Sequence, residues 1–114
     1  MNTTHTYETK SELIRTWAER CPRRLPLTNS VQTTGSSTVT AILWGVAQET
    51  VINKTSWARN ELLFEVSGVN RRPFRVAIRF LMESGILVRK CIRGVHWYAI
   101  DFDNLADYWQ RVAE

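Results

Sequence analysis

The chain is poor in the residues that build covalent or metal frameworks. Its 114 residues include two cysteines, two histidines and three prolines. Cys21 and Cys91 belong to no CxxC pair, and two cysteines make no disulfide framework. A metal site drawn from them with His5 and His96 would lack paired ligand spacing, so neither metal nor cofactor is expected. Cys91 reads instead as an inward-facing strand residue. No apolar run approaches the roughly 20 residues that span a bilayer. The opening MNTTHTYETK has no apolar segment of the kind a secretion signal carries, so a bacterial or host-cell cytoplasm and no membrane contact are expected. The sequons at Asn2 and Asn53 then carry no meaning.

Acidic residues are scarce in one place. Between Asn70 and His96 stand Arg71, Arg72, Arg75, Arg79, Arg89, Lys90 and Arg93, with Glu83 as the single acid. That window carries +6 in a chain whose net charge is +4, so the rest is slightly acidic. A basic block on such a chain points to a localised polyanion-binding face. The 44% hydrophobic and 23% charged composition is otherwise that of a globular protein. One domain, 1–114, can bury a real core at this length.

Along the chain, a helix is expected from Thr9 or Ser11, with Leu13, Ile14, Trp17 and Ala18 on one face. It ends by Cys21, because Pro22 disfavours a helical residue before it. Cys21 to Thr34 reads as a loop, and Arg23-Arg24 as a small basic spot, a solvated pair in preference to a phosphate contact. Together these form an N-terminal extension, 1–35. Ser36, Ser37 or Thr38 then caps a helix that repeats Val39, Ile42, Leu43, Val46 and Ala47 at helical spacing. The β-branched Val39 and Thr40 leave a strand start open. Gly35 and the serines lack the spacing and lysine of a phosphate loop. Thr50 to Asn53 reads as a short strand, and Thr55 or Ser56 as the start of the next helix.

A turn at Ser67-Gly68-Val69-Asn70 leads into a helix crowded with arginines. At 100° per residue, Arg71, Arg72, Arg75 and Arg79 fall in an arc of about 100°. Phe74, Ala77, Ile78 and Leu81 form a second arc, and Val76 and Phe80 lie between. With no acid to pair them, four arginines on one face repel one another unless an anion binds. Asn70 suits the N-cap, and Pro73 is tolerated in the first turn. Gly85 takes the place of a C′ glycine. Ile86–Ile92 and Val95–Phe102 read as strands joined at Arg93-Gly94. Asp103 caps a last helix, 103–114, with Leu105, Tyr108, Trp109 and Val112 on one face.

Gly68-Val69-Asn70-Arg71-Arg72, Phe74, Ala77-Ile78, Leu81 and Gly85-Ile86-Leu87 carry a resemblance. The run resembles winged helix-turn-helix DNA-binding proteins of the small prokaryotic, phage or plasmid type, over about residues 50–102. The resemblance implies a mainly α fold with a small β-hairpin, with extra N- and C-terminal helices here. It implies a recognition helix holding Asn70, Arg71, Arg72, Arg75 and Arg79, and a wing spanning Arg89 to His96, with Arg89, Lys90 and Arg93 on phosphates or the minor groove. Ser67 departs from the pattern where many members carry an apolar residue, and Pro73 where many carry Thr or Ser. Arg72 and Arg75 are expected nearest the base edges of double-stranded DNA.

A transcriptional regulator, most simply a repressor, is expected, since the length leaves little for an effector domain. Replication or maintenance of a phage or plasmid is the alternative, because Trp97-Tyr98-Ala99-Ile100-Asp101 and the helix after it resemble winged-helix segments of such proteins. A winged helix used only for protein contacts is a third. Catalysis is not expected, because His96 has no nucleophile or carboxylate motif beside it. A homodimer seam is expected from Val76, Phe80, Leu105, Tyr108, Trp109 and Val112, with intramolecular packing as the competing use.

Overall fold

In the computed structural model, which describes residues 7–52 and 55–113, five helices and two small antiparallel sheets follow one another. The order is α1 (Tyr7–Arg20), β1 (Arg24–Pro26), β2 (Thr33–Gly35), α2 (Ser36–Ile52), β3 (Ala58–Arg59), α3 (Asn60–Ser67), α4 (Arg71–Glu83), β4 (Leu87–Ile92), β5 (Val95–Ile100) and α5 (Phe102–Ala113). Expectations for residues 1–6 and for Asn53 lie outside the described residues.

Helix α2 runs through the middle because it is apolar on most sides. Val39, Ile42, Leu43, Val46 and Ala47 are all buried. Gly45 sits where α3 crosses: a Cβ there would lie 2.7 Å from Val66 Cγ2 and 3.2 Å from Leu63 Cδ2. A mid-helix glycine costs about 1 kcal/mol relative to alanine, and this close approach is what it permits. The expected strand at Thr50–Asn53 is not there, since α2 continues to Ile52. The strand comes later, at Ala58–Arg59, and the following helix begins at Asn60 rather than at Thr55 or Ser56.

Helices α3 and α4 meet at a glycine turn. Gly68 has φ 69° and ψ 13° and gives its N–H to Glu65 O. Nothing crowds its missing Cβ, so the left-handed backbone alone selects glycine. Ser67, where an apolar residue was the norm of the pattern, is buried and donates its hydroxyl to Phe64 O at 2.7 Å. That bond removes the cost of burying it. Asn70 occupies the N-cap of α4 with extended backbone and no side-chain cap bond.

The three-stranded sheet has the order β3-β5-β4. Arg93 (φ 52°) and Gly94 (φ 79°) make the two-residue turn between β4 and β5, the pairing of positive φ values that suits strand twist. Residues directly opposite in antiparallel strands share a face. Leu87, Arg89 and Cys91 therefore share one with Ile100, Tyr98 and His96, and Val88, Lys90 and Ile92 share the other with Ala99, Trp97 and Val95. Leu87 and Tyr98 are buried, so the first face is the one turned inward. Cys91 belongs to that face yet is exposed, because it lies near the hairpin tip beyond the core.

The segment expected as a loop is instead a second hairpin. Strand β1 pairs antiparallel with β2, Leu25 opposite Thr34, and both residues are buried. Its strands are too short, and too rich in proline and polar residues, to show as an alternating pattern.

Helices α1 and α5 pack together on the far side of the core. Ile14 and Trp17 of α1 and Leu105 and Tyr108 of α5 are buried. The cap of α5 falls on Asp101, not Asp103: Asp101 Oδ1 accepts the Asn104 N–H at 3.0 Å. Asn104 Nδ2 then donates to Gly85 O at 2.9 Å, tying α5 to the end of α4.

Candidate nucleic-acid interface

Helix α4 is sorted nearly as its periodicity requires. Phe74, Ala77, Ile78 and Leu81 are buried, while Arg71, Arg72, Arg75 and Arg79 are exposed. Phe80 joins the buried set, covered by the Tyr108 ring at 6.0 Å.

The arginine arc is not free of acids. Arg71 donates to both oxygens of Glu61 at 3.0 and 2.9 Å, and its guanidinium lies 3.9 Å from the Phe64 ring centroid. Arg79 Nε meets Glu83 Oε1 at 2.8 Å, and Arg79 Nη1 meets Gln32 Oε1 at 3.2 Å. Arg72 and Arg75 make no ion pair or side-chain hydrogen bond among the described residues. The Glu83 contact has the i, i+4 spacing that sequence can show. The Glu61 contact bridges two helices and leaves no such mark.

Two grooves flank α4. One, of about 540 Å³, separates it from β4–β5, with Arg71, Arg75 and Arg79 on the helix side and Arg89 and His96 on the sheet side. His96 Nδ1 is buried with no hydrogen-bond partner among the described residues. The second, of about 500 Å³, separates α4 from β1–β2 and includes Arg24 and Arg72. Four of the expected residues thus converge on the first groove and Arg72 faces the second. Asn70 is exposed at the helix start, and Arg93 is exposed at the hairpin turn.

Lys90 does not join them. It is on the opposite sheet face from Arg89, with Nζ 4.5 Å from the Trp57 ring centroid. Adjacent strand residues alternate sides, so Arg89 and Lys90 cannot both point at one ligand surface on this sheet. Gln32 and Glu61 were missed, because their relevance depends on elements that meet only in the folded chain, and Arg24, read as solvated, lines the groove beside Arg72.

The expected dimer seam is mostly spent inside one chain. Phe80, Leu105 and Tyr108 are buried, Tyr108 lying 4.8 Å from Trp109 and both rings stacking near Trp17. Val76 and Trp109 are half-buried, and Val112 alone of the six is well exposed. Most of the apolar stripe of α5 is covered by α1 and by Phe80 of α4.

Both pairing carboxylates titrate below their ordinary range. For Glu61 the Arg71 hydrogen bond is the largest cause, and for Glu83 the Arg79 bond, followed by the Thr28 N–H. A carboxylate with a depressed folded-state pKa stabilises the fold above its unfolded pKa, about 4.3. That contribution disappears as pH falls through the folded-state value. Urea melts should therefore show stability declining on acidification below about pH 5, with Glu61→Gln/Glu83→Gln flattening the decline. The effect is small and weakened by salt, because both carboxylates are solvent-facing. A slope unchanged in the double variant would dissociate these pairs from the acid response.

Cys21 and Cys91 are free thiols, and burial pushes Cys21 up to about 11. A thiol so raised is inert at neutral pH. Among the described residues no cluster of three or more His, Cys, Asp and Glu could hold a metal ion, and no helix is long and apolar enough to cross a membrane. Comparisons of the chain with protein-family models, with curated proteins and with solved structures give no match.

Proposed function

We propose that this chain binds double-stranded DNA as a winged helix-turn-helix protein, with α4 in the major groove and β4–β5 against the backbone or minor groove. One observation carries the reading: Arg72 and Arg75 stand exposed on α4 without internal partners, beside a hairpin that adds Arg89 to the same basic face. A helix with side chains is about 10–12 Å across and the major groove about 12 Å wide, so α4 fits. The order helix, strand, helix, glycine turn, helix and hairpin over α2 to β5 accords with it. Arginine suits the role because it bonds guanine O6 and N7 through two N–H groups. A regulator that occludes a promoter is the simplest use of such a surface.

Two copies on a palindromic site would extend the proposal. Their contact would have to use residues other than Phe80, Leu105 and Tyr108, and sedimentation mass in solution decides whether such a pair forms.

The test is a titration of labelled duplex DNA over a series of salt concentrations, followed by footprinting on native genomic DNA. Affinity should fall linearly on a log–log plot, by several log units over a modest rise in salt. Absence of binding at low salt would remove the proposal. A footprint at promoters supports regulation; one beside an origin places the protein in replication or maintenance.

A further inference from the structure

The β1–β2 hairpin stands on the side of α4 away from β4–β5, and it has its own arginine. We propose that this hairpin is a second arm, with Arg24 holding the phosphodiester backbone along the opposite wall of the groove that α4 enters. The proposal rests on the DNA-binding reading above.

Position is the first argument. On α4 the β4–β5 groove is met by Arg71, Phe74, Arg75, Ile78, Arg79 and Met82, and the β1–β2 groove by Arg72, Pro73 and Val76. At 100° per residue these two sets centre roughly 130° apart. Arg75, Arg79 and Arg72 span the sector between them. A helix that nearly fills the major groove has a phosphate wall along each long side. Whatever flanks α4 on both sides therefore meets backbone on both sides.

Chemistry is the second. The β1–β2 groove brings Arg24 and Arg72 together with the hydroxyls of Thr34 and Thr38 and the Gln32 amide, and no acidic residue lines it. Such side chains make phosphate contacts in DNA-binding proteins. Arg24 is exposed, but its guanidinium is held: Nε donates to Thr33 Oγ1 and Nη2 to Thr33 O, both at 3.0 Å. Nη1 makes no hydrogen bond among the described residues and is left for a ligand.

Rigidity is the third. Leu25 and Leu27 root the hairpin in the core. The Thr28 N–H donates to Glu83 Oε2 at 3.0 Å, and Gln32 accepts from Arg79. Glu83 thus acts as a positioning residue, spanning α4 and the hairpin. An arm fixed before binding loses little entropy when a ligand arrives.

The experiment measures duplex affinity against salt for the wild type, Arg24→Ala, Arg24→Lys and Thr33→Val. Arg24→Ala should weaken binding and reduce the log–log salt slope by about 0.9, the loss of one phosphate contact. Arg24→Lys should recover the slope, because lysine still neutralises a phosphate. Thr33→Val, which removes part of the brace and no charge, should keep it. An unchanged slope in Arg24→Ala overturns the arm, as does an equal slope loss in Thr33→Val, which would mark Arg24 as a brace. Either result leaves the DNA-binding reading standing while the wild type binds and Arg72→Ala/Arg75→Ala does not. A wild type that fails to bind overturns both.

Discussion

Replacing Arg72 and Arg75 together by alanine is expected to lower affinity for a specific DNA site roughly a hundredfold or more. A good two-bond arginine contact to a base is worth about 1–3 kcal/mol, and tenfold in affinity is about 1.4 kcal/mol. These two arginines isolate the DNA term better than their neighbours do. Arg71 braces Glu61 and covers Phe64, and Arg79 holds Glu83 and Gln32, so truncating either disturbs the fold as well. Arg72 and Arg75 are exposed with no such duties among the described residues. The thermal midpoint should therefore stay where it was. The salt slope adds a distinction: base contacts leave it unchanged, whereas each lost phosphate contact flattens it by about 0.9. Wild-type affinity and specificity in the double variant would sink the assignment of α4 as the reading helix.

Trp17→Ala is expected to cost about 3–5 kcal/mol of unfolding free energy, a large part of the roughly 5–15 kcal/mol a domain has. Trp17 is 2% exposed and lies 5.8 Å from Tyr108 and 5.5 Å from Trp109, ring centre to ring centre. It joins α1 to α5, and truncating it removes an indole from the space between them. A shift of the melting midpoint by roughly 15–25 °C follows, read by circular dichroism. Trp17→Phe should cost much less. It keeps a ring in place and removes Nε1, a buried donor with no hydrogen-bond partner among the described residues. A midpoint shift of only a few degrees in Trp17→Ala would mean that α1 contributes little to the core.

The helices were legible wherever their signals were local. The spacing of Val39, Ile42, Leu43, Val46 and Ala47 marked α2, and the arcs of α4 separated Phe74, Ala77, Ile78 and Leu81 from the arginines. Gly68 and Arg93-Gly94 marked turns because few residues accept positive φ. The β1–β2 hairpin and the two-residue β3 were not legible. Their strands are too short to alternate, and they exist only because distant segments pair with them. The apolar stripe of α5 was visible, but its occupant was not: the same pattern serves a second copy or α1 and α4 equally well.

By itself, then, the sequence determined the basic arc of α4, its buried arc and the hairpin that follows, since helical and turn preferences act over a few residues. Apart from the i, i+4 pair of Arg79 with Glu83, tertiary structure decided which arginines remain available. Glu61 reaches Arg71 from another helix, Gln32 reaches Arg79 from the loop between β1 and β2, and the register of β4 with β5 puts Arg89 on the face towards α4 and Lys90 on the opposite face beside Trp57. Charge availability depends on distances between elements, and those distances are set by how the core packs.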